Sequence, residues 1–204
     1  ETNYKTPSLS IIVPCYNEEE GIKETIDILK KKIEDLIRKN LISYKKSNII
    51  LVDDGSKDST WDIIKTIAET NDVIIGIKLT KNYGHQNALL AGLQQNNNDI
   101  TISIDADLQD DIEIIDQMID EYSKGYEIVY GVRKDRSEDS FFKKISANIF
   151  YKVINLFEKN MIEHHADFRL ASKNMIDKLS KFHEINLYLR GMFTLLTKDF
   201  SIVY

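Results

Sequence analysis

The most informative stretch of this chain is Ile100-Thr101-Ile102-Ser103-Ile104-Asp105-Ala106-Asp107-Leu108-Gln109-Asp110. Its first half is apolar apart from small hydroxyl residues, which is typical of a strand buried on both faces of a parallel sheet. Its second half alternates carboxylates, and residues two apart on an extended backbone point the same way. We therefore expect Asp105 and Asp107 to face one cation. Because aspartates are also common in turns and helix caps, this stretch alone leaves both interpretations open.

Strands and helices alternate on both sides of this segment. Apolar runs predict strands at 9–13, 49–52, 73–79, 100–104 and 128–131, and apolar residues at helical spacing predict helices that begin near 18, 60, 84 and 112. Ser59 or Thr60 is expected to cap the second helix, and the alternation at 200–204 predicts a further strand. The pattern indicates an α/β fold, a three-layer α/β/α sandwich around a mostly parallel sheet.

Length and composition are those of one water-soluble domain. The chain has 204 residues, of which 42% are hydrophobic and 29% charged. It has one cysteine, Cys15, so it cannot form an intrachain disulfide, and no apolar run approaches the roughly 20 residues of a membrane span. Because the chain starts at Glu1 and stops inside a predicted strand, we expect it to be a piece of a longer protein.

Charge is distributed unevenly along the chain. Residues 1–132 carry 14 Lys and Arg against 24 Asp and Glu, whereas residues 133–204 carry 13 against 9. The basic second part is expected to meet an anion or an anionic surface, although solvated helices also acquire uneven charge by chance. Within it, 140–157 has an apolar helical stripe beside Lys143, Lys144 and Lys152, which predicts either an interfacial helix at a membrane or a core helix.

Polar residues follow four predicted strands, where ligands bind in parallel sheets. The four loops are Pro14-Cys15-Tyr16-Asn17-Glu18, Asp53-Asp54-Gly55-Ser56, Lys81-Asn82-Tyr83-Gly84-His85-Gln86-Asn87 and the acidic segment. The absence of glycine from the first loop argues against dinucleotide binding, and the absence of acids at the end of its strand argues against a phosphoacceptor receiver domain. We expect the four loops to share one rim.

Each loop offers groups suited to a nucleotide. Asp53 or Asp54 can accept from a ribose hydroxyl or a base N–H, and Tyr16 can lie against a base. Gly55 is expected to let the backbone approach a ligand closely. Gly84 opens a helix whose N-terminus suits a diphosphate, and His85 can add a donor. Helix capping and turn formation can account for the polar residues of any one loop. The prediction of a nucleotide site therefore depends on all four loops lying at the same rim.

These motifs, together with Gly131-Val132-Arg133-Lys134-Asp135-Arg136 and Asp167-Phe168-Arg169-Leu170, resemble the inverting family 2 glycosyltransferases of the glycosyltransferase-A fold. They are most similar to the polyisoprenyl-phosphate branch, which includes dolichyl-phosphate mannose synthases and bactoprenol glucosyltransferases. The resemblance covers nearly the whole chain. It implies one catalytic domain over 1–204, in which 1–132 binds the nucleotide sugar and 133–204 binds the acceptor.

The resemblance also implies a role for individual residues. With the loop residues above, the expected nucleotide-sugar-binding set is Pro14, Tyr16, Asn17, Glu18, Asp53, Asp54, Gly55, Gly84, His85 and Asp105. The expected ligands of Mg²⁺ or Mn²⁺ are Asp105, Asp107 and Gln109. The expected acceptor-phosphate residues are Arg133, Arg136 and Arg169. The expected catalytic residues are Asp107, Asp167 and Arg133.

The expected reaction moves a hexose from a UDP-glucose-like or GDP-mannose-like donor to a polyprenyl phosphate at the cytoplasmic face of a membrane. A phosphate acceptor is already ionised at pH 7 and hardly needs a general base, so we expect Asp167 to orient Arg169 or a sugar hydroxyl, with proton abstraction as the second interpretation.

The alternative functions are transfer to a saccharide hydroxyl and a non-catalytic nucleotide-binding module. We expect no nucleic-acid partner, and a homo-oligomer is left open. This branch often continues into transmembrane helices, which leaves the membrane attachment of this stretch open.

Overall fold

The computed structural model describes residues 6–132, 167–182, 189–197 and 199–204. Arg133, Arg136 and the stripe at 140–157 lie outside these residues. The described elements, in chain order, are β1 (Leu9–Cys15), α1 (Ile22–Arg38), β2 (Asn48–Asp53), α2 (Thr60–Glu69), β3 (Ile74–Lys78), α3 (His85–Gln95), β4 (Ile100–Ser103), a 3₁₀ turn (Ile112–Ile114), α4 (Ile115–Ser123), β5 (Ile128–Gly131), β6 (Arg169–Ser172), α5 (Lys173–Leu179), α6 (Leu189–Leu196) and β7 (Ser201–Val203).

The described strands form one seven-stranded sheet in the order β3-β2-β1-β4-β6-β5-β7. The pairs β2–β3, β1–β2, β1–β4 and β5–β7 are parallel, whereas β6 is antiparallel to both β4 and β5. The predicted α/β fold with a mostly parallel sheet is confirmed. The sequence patterns did not predict β6, which separates two strands that run in the same direction.

Helices cover both faces of the sheet and create two apolar cores. Alternate residues of β1 point to opposite faces, so Ile11 and Val13 pack beneath α1 while Ile12 packs beneath α3. The first core also contains α4, and the second contains α5 and α6. The three-layer architecture is therefore confirmed. Within the described part of the chain, no helix combines the length and hydropathy that crossing a bilayer requires.

Two predicted helix starts differ from the structure. The helix expected near Glu18 begins at Ile22, because Asn17 adopts a left-handed conformation (φ 54°) and a turn precedes the helix. At α2 neither predicted residue caps the helix with its side chain: Ser59 makes no capping hydrogen bond, and Thr60 is already the first helical residue. The Thr60 hydroxyl instead donates to Asp58 and accepts from the Glu18 N–H at 2.8 Å.

Close packing at Gly92 fixes α3 on the sheet. A Cβ atom at this position would lie 2.4 Å from Ile12 Cγ2 and 3.1 Å from Val52 Cγ2, so helix and sheet approach each other at this glycine. Because α3 starts at the cleft described below, this contact fixes where its first residues lie.

We expect Gly92→Ala to lower the free energy of unfolding by about 1–2 kcal/mol. Overpacking a core costs about 1–3 kcal/mol, and the 2.4 Å contact with the branched Ile12 side chain favours the upper half of that range. The higher helix propensity of alanine returns only about 1 kcal/mol. Urea unfolding followed by circular dichroism measures the difference. Gln94→Ala, at an exposed position of the same helix, is the control and is expected to change stability by less than about 0.5 kcal/mol. A Gly92→Ala variant as stable as the parent chain would contradict this packing.

Candidate functional site

A cleft of about 540 Å³ lies at the carboxyl ends of β1 and β4. Its lining residues are Pro14, Cys15, Tyr16, Glu18, Asp54, Asn82, Gly84, His85, Gln86, Ala88, Asp105, Ala106, Asp107 and Asp167. They come from all four loops predicted to share a rim and from the segment before β6. Its size is within the range of small-molecule sites.

The loops after β1 and β2 are locked together by hydrogen bonds through Asn17. The Asn17 N–H donates to Ser56 Oγ at 2.9 Å, and Asn17 Oδ1 accepts from the Lys57 N–H at 2.9 Å. Asn17, expected to bind the nucleotide sugar, thus has its side-chain oxygen engaged in joining two loops. It lies outside the cleft lining, whereas its neighbour Tyr16 lines the cleft and is 38% exposed.

The adjacent carboxylates of Asp53 and Asp54 have different surroundings. Both oxygens of Asp54 accept backbone hydrogen bonds, from the Tyr83 N–H at 2.7 Å and the Gly84 N–H at 2.8 Å. Asp54 therefore ties the loop before α3 to the end of β2. Asp53 is fully buried; its Oδ1 accepts from the Ser56 N–H at 3.3 Å, and its Oδ2 has no hydrogen-bond partner among the described residues.

Because Gly55 has no side chain, the backbone of Lys81 and Asn82 can pack closely against it. A Cβ atom at Gly55 would lie 2.4 Å from the carbonyl carbon of Lys81 and 2.7 Å from the Asn82 nitrogen, and the residue has φ +69°. The close approach that the structure shows at Gly55 is to the loop after β3, and the predicted contact with a ligand stays a prediction. The glycine lets the loops after β2 and β3 pack against each other.

The acidic segment turns sharply after β4. Thr25 of α1 donates its hydroxyl proton to the Ala106 carbonyl at 2.7 Å, and Leu108 adopts a left-handed conformation (φ 45°). Asp105 is half-buried, Asp107 is exposed, and both line the cleft. Gln109 is exposed and lies outside the lining, while its N–H donates to Asp107 Oδ1 at 3.3 Å.

Asp167 lies at the back of the cleft and is only 3% exposed. Its Oδ1 accepts from Arg169 Nη2 at 2.5 Å, and its Oδ2 accepts from Gln86 Nε2 at 3.2 Å. His85 Nε2 lies 3.2 Å from Asp167 Oδ2 and 3.5 Å from Asp105 Oδ1. The Ser103 hydroxyl donates to the Asp167 carbonyl. Sequence reasoning missed Gln86 and Ser103, although Gln86 stands inside the quoted loop before α3.

Arg169 does not face the solvent. It is 2% exposed, and its guanidinium group lies over the Phe193 ring at 4.8 Å while pairing with Asp167. A buried arginine paired with a carboxylate is poorly placed to reach a phosphate that enters from solvent. The structure thus favours Arg169 as a partner that orients Asp167 over the expected role as an acceptor-phosphate residue.

Negative charge dominates the lining of the cleft. Among the described residues, five carboxylates line it, from Glu18, Asp54, Asp105, Asp107 and Asp167, together with one histidine and no lysine or arginine. Burial raises the pKa of Asp105; the nearby Asp167, Asp110 and Asp107 carboxylates add to this increase, and His85 opposes it. Burial also raises the pKa of Glu18, with contributions from Asp107 and Asp58.

Burial raises the pKa of Cys15, so its thiol stays protonated and is a poor nucleophile.

The cleft contains a group of atoms that fits a divalent metal ion. Ligand atoms of His85, Asp105 and Asp167 all lie within 4.8 Å of one another. Opposite ligands of an ion with bonds of about 2.0–2.2 Å lie roughly 4.3 Å apart, so one ion can reach all three after small adjustments. Asp105, one of the predicted metal ligands, belongs to this group together with His85 and Asp167. Asp107 lines the same cleft, and its role and that of Gln109 as metal ligands stay predictions.

Comparison with known proteins is consistent with this geometry. The family model described as glycosyl transferase family 2 matches residues 10–184. The glycosyltransferase YkoT of Bacillus subtilis (strain 168) is 48% identical over 188 residues, which are 91% of this chain and 56% of that protein. A prophage bactoprenol glucosyl transferase homolog of Escherichia coli (strain K12) is 36% identical over 185 residues, 90% of this chain and 58% of the relative. The chain thus spans a little over half the length of these relatives.

A solved structure shares the fold at low sequence identity. The mannosyltransferase PcManGT from Pyrobaculum calidifontis, in complex with GDP-Man and Mn²⁺, superposes with a TM-score of 0.67 at 19% identity. The match covers 98% of this chain and 55% of the mannosyltransferase. It confirms the glycosyltransferase-A type fold expected from the sequence.

We expect Asp105→Asn to stabilise the metal-free protein at pH 7. The Asp105 carboxyl has a higher pKa folded than unfolded, so stability falls as the pH rises through the interval between these values, and the cost is complete above the folded pKa. The asparagine carries no charge and avoids this cost. Urea midpoints measured in chelator from pH 4 to 8 should show a smaller decline in the variant.

The same variant should lose the stabilisation that Mn²⁺ provides. A ligand that binds the folded state at about 100 times its Kd stabilises it by about 2.7 kcal/mol. Asp27→Asn, exposed on α1, is the control and should keep the Mn²⁺ effect. An Asp105→Asn variant that is less stable in chelator, or that gains as much from Mn²⁺ as the parent, would contradict this description of the site.

Proposed function

Because the chain belongs to glycosyltransferase family 2, we propose that it takes part in transferring a hexose from a nucleoside-diphosphate sugar to a polyprenyl phosphate at a membrane surface. The observation that carries the proposal is the convergence of Asp105, Asp107 and Asp167 in one cleft beside the start of α3. Relatives named bactoprenol glucosyl transferase, at 35–36% identity over 90% of this chain, support the choice of acceptor.

The donor's nucleoside is proposed to lie along the loops after β1 and β2. Tyr16 presents a partly exposed ring at the cleft, suited to packing against a base. Asp53 keeps one buried carboxylate oxygen without a hydrogen-bond partner among the described residues, at the end of β2. A ribose hydroxyl or base N–H would satisfy this oxygen after a small shift of the surrounding loop. Pro14 and Glu18 complete this side of the cleft.

The charge of the cleft supports a metal-dependent reaction. A diphosphate that enters a cleft lined by five carboxylates would be repelled unless a cation lies between them. Asp105, Asp107 and His85 are proposed to hold Mg²⁺ or Mn²⁺, with Asp167 close to it. Such an ion supplies charge stabilisation for the departing diphosphate. The N-terminus of α3, at the same rim, adds a favourable dipole for the same anion.

The acceptor side of the proposal rests on Arg133 and Arg136, which lie outside the described residues. They follow β5, and the N–H of Gly131 in that strand donates to the Phe168 carbonyl at 3.0 Å. The hydrogen bond connects two segments. Gly131 lies two residues before Arg133, and Phe168 directly follows Asp167. Guanidinium groups donate paired hydrogen bonds to phosphate oxygens and offset repulsion between two phosphorylated substrates.

Asp167 is proposed to orient the reacting groups. The acceptor oxygen of a lipid phosphate is ionised near pH 7, so its attack on the anomeric carbon requires little proton removal. Asp167 is buried and held by Arg169, which suits a fixed acceptor of hydrogen bonds from a sugar hydroxyl or from His85.

A transfer assay tests the proposal directly. The protein is incubated with radiolabelled UDP-glucose or GDP-mannose, undecaprenyl phosphate in detergent and Mn²⁺, and labelled lipid is extracted into organic solvent. We expect lipid-linked hexose, its loss in chelator, and a decrease in kcat/KM of about 10²–10³-fold for Asp107→Asn, as when one charge-stabilising group is removed. Asp111→Asn, exposed on the same segment, should keep the parent rate. Transfer to an oligosaccharide but not to the lipid would reject the acceptor.

We expect Arg133→Gln and Arg136→Gln each to raise the KM for polyprenyl phosphate by about 10–100-fold. The range corresponds to losing a charged hydrogen bond of about 1.5–3 kcal/mol. The KM for the nucleotide sugar should stay within about two-fold, because these arginines are assigned to the acceptor alone. Arg38→Gln, on the exposed side of α1, is the matched loss of positive charge and should change neither value. A larger effect on the donor than on the lipid would reject this assignment.

A further inference from the structure

We propose that Gln86 is a positioning residue for sugar transfer, which holds the Asp167 carboxylate from the side opposite Arg169. The inference rests on the proposed function in one respect, the use of Asp167 at the reacting centre. In this proposal Gln86, a residue of α3, affects the rate of transfer by holding Asp167 and does not contact the substrate.

The two oxygens of Asp167 are held by two different side chains. Arg169 Nη2 donates to Oδ1 at 2.5 Å, and Gln86 Nε2 donates to Oδ2 at 3.2 Å. The backbone is anchored as well, because Ser103 Oγ donates to the Asp167 carbonyl. The same Oδ2 lies 3.2 Å from His85 Nε2, on a ring that is 41% exposed and also faces Asp105. The Gln86 amide thus adds a side-chain donor that restrains rotation of the carboxylate.

The orientation of the Gln86 amide follows from its partner. An ionised carboxylate only accepts hydrogen bonds, so the amide must point its nitrogen toward Asp167. Its oxygen, Oε1, is then left buried and accepts no hydrogen bond among the described residues. A buried carbonyl without a partner lowers stability. This cost offsets the stabilisation that the hydrogen bond to Asp167 provides, so the amide contributes little to folding, and a role in holding Asp167 accounts for its presence.

The backbone around Gln86 is fixed by contacts already described. Gln86 is the second residue of α3, and the preceding Gly84 N–H donates to Asp54 Oδ2 at 2.8 Å. Farther along the helix, Gly92 packs directly against β1 and β2. Because the helix cannot shift freely, the Gln86 side chain reaches Asp167 from a rigid base, as positioning groups require.

The test substitutes Gln86 by methionine, which has a similar length and no hydrogen-bond donor. We expect the thermal midpoint of Gln86→Met to change little, because removal of the unpaired carbonyl offsets the lost hydrogen bond to Asp167. The Kd for the nucleotide sugar should stay within about two-fold, and kcat should fall by about ten-fold or more, since small displacements of reacting groups reduce rates strongly. Gln94→Met, at an exposed site of the same helix, should leave all three quantities unchanged.

A double-mutant cycle separates positioning from a general structural role. In an Asp167→Asn background, Gln86→Met should cause little further loss of kcat, because the carboxylate that it holds is absent. An equal fold-loss in both backgrounds would overturn the proposal, as would a fall in thermal midpoint that accompanies the loss of rate. Rates are measured with polyprenyl phosphate and also as slow transfer to water. If the protein transfers the hexose to water but not to the lipid, the proposed acceptor is rejected. The double-mutant cycle is then measured on the rate of transfer to water, and it still tests the role of Gln86.

Discussion

The antiparallel pairing of β6 with β4 is the constraint on which the site depends. Arg169, the first residue of β6, pairs with Ser103, the last residue of β4, so the segment before β6 lies where β1 and β4 end. This brings Asp167 within reach of Asp105 and of the first residues of α3. If the strand ran parallel to β4, its start would lie at the opposite edge of the sheet and the carboxylates would be separated by the length of the strands. The direction of one four-residue strand therefore assembles the cleft.

Carboxylates in the cleft and carboxylates beside α1 differ in whether positively charged side chains neutralise them. On the α1 side, the buried Lys32 contacts Glu113 and Asp116 at 2.9 Å. Although burial raises the pKa of Asp116, hydrogen bonds from Lys39 and Lys32 lower it below its usual range. The part of the cleft lining that the structure describes has no lysine or arginine, and burial raises the pKa of Asp105. Burying such charge without a counter-charge is unfavourable for folding, and a bound cation would remove that cost.

The sequence predicted the regular part of this architecture and the rim of the site, because both follow from local patterns. Continuous apolar runs identify β1, β2 and β4, and polar residues that follow parallel strands must meet at one edge. The strand at 169–172 was not predicted, since it is short and its pairing with β4 joins residues more than 60 positions apart. The neighbours of Gly55 and the burial of Arg169 also depend on distant contacts. A motif gives the type of a residue, but packing decides whether Arg169 faces a phosphate or Phe193.

The surroundings of Asp167 bear on the choice between a general base and an orienting group. Arg169 and Gln86 both donate hydrogen bonds to its carboxylate, so both of its oxygens are held by groups of the protein itself. A saccharide hydroxyl would require a strong base, whereas a lipid phosphate already presents an ionised oxygen near pH 7. A carboxylate restrained at both oxygens is therefore better matched to the second kind of acceptor. The contacts inside the cleft thus favour the proposed acceptor on grounds that do not depend on the names of relatives.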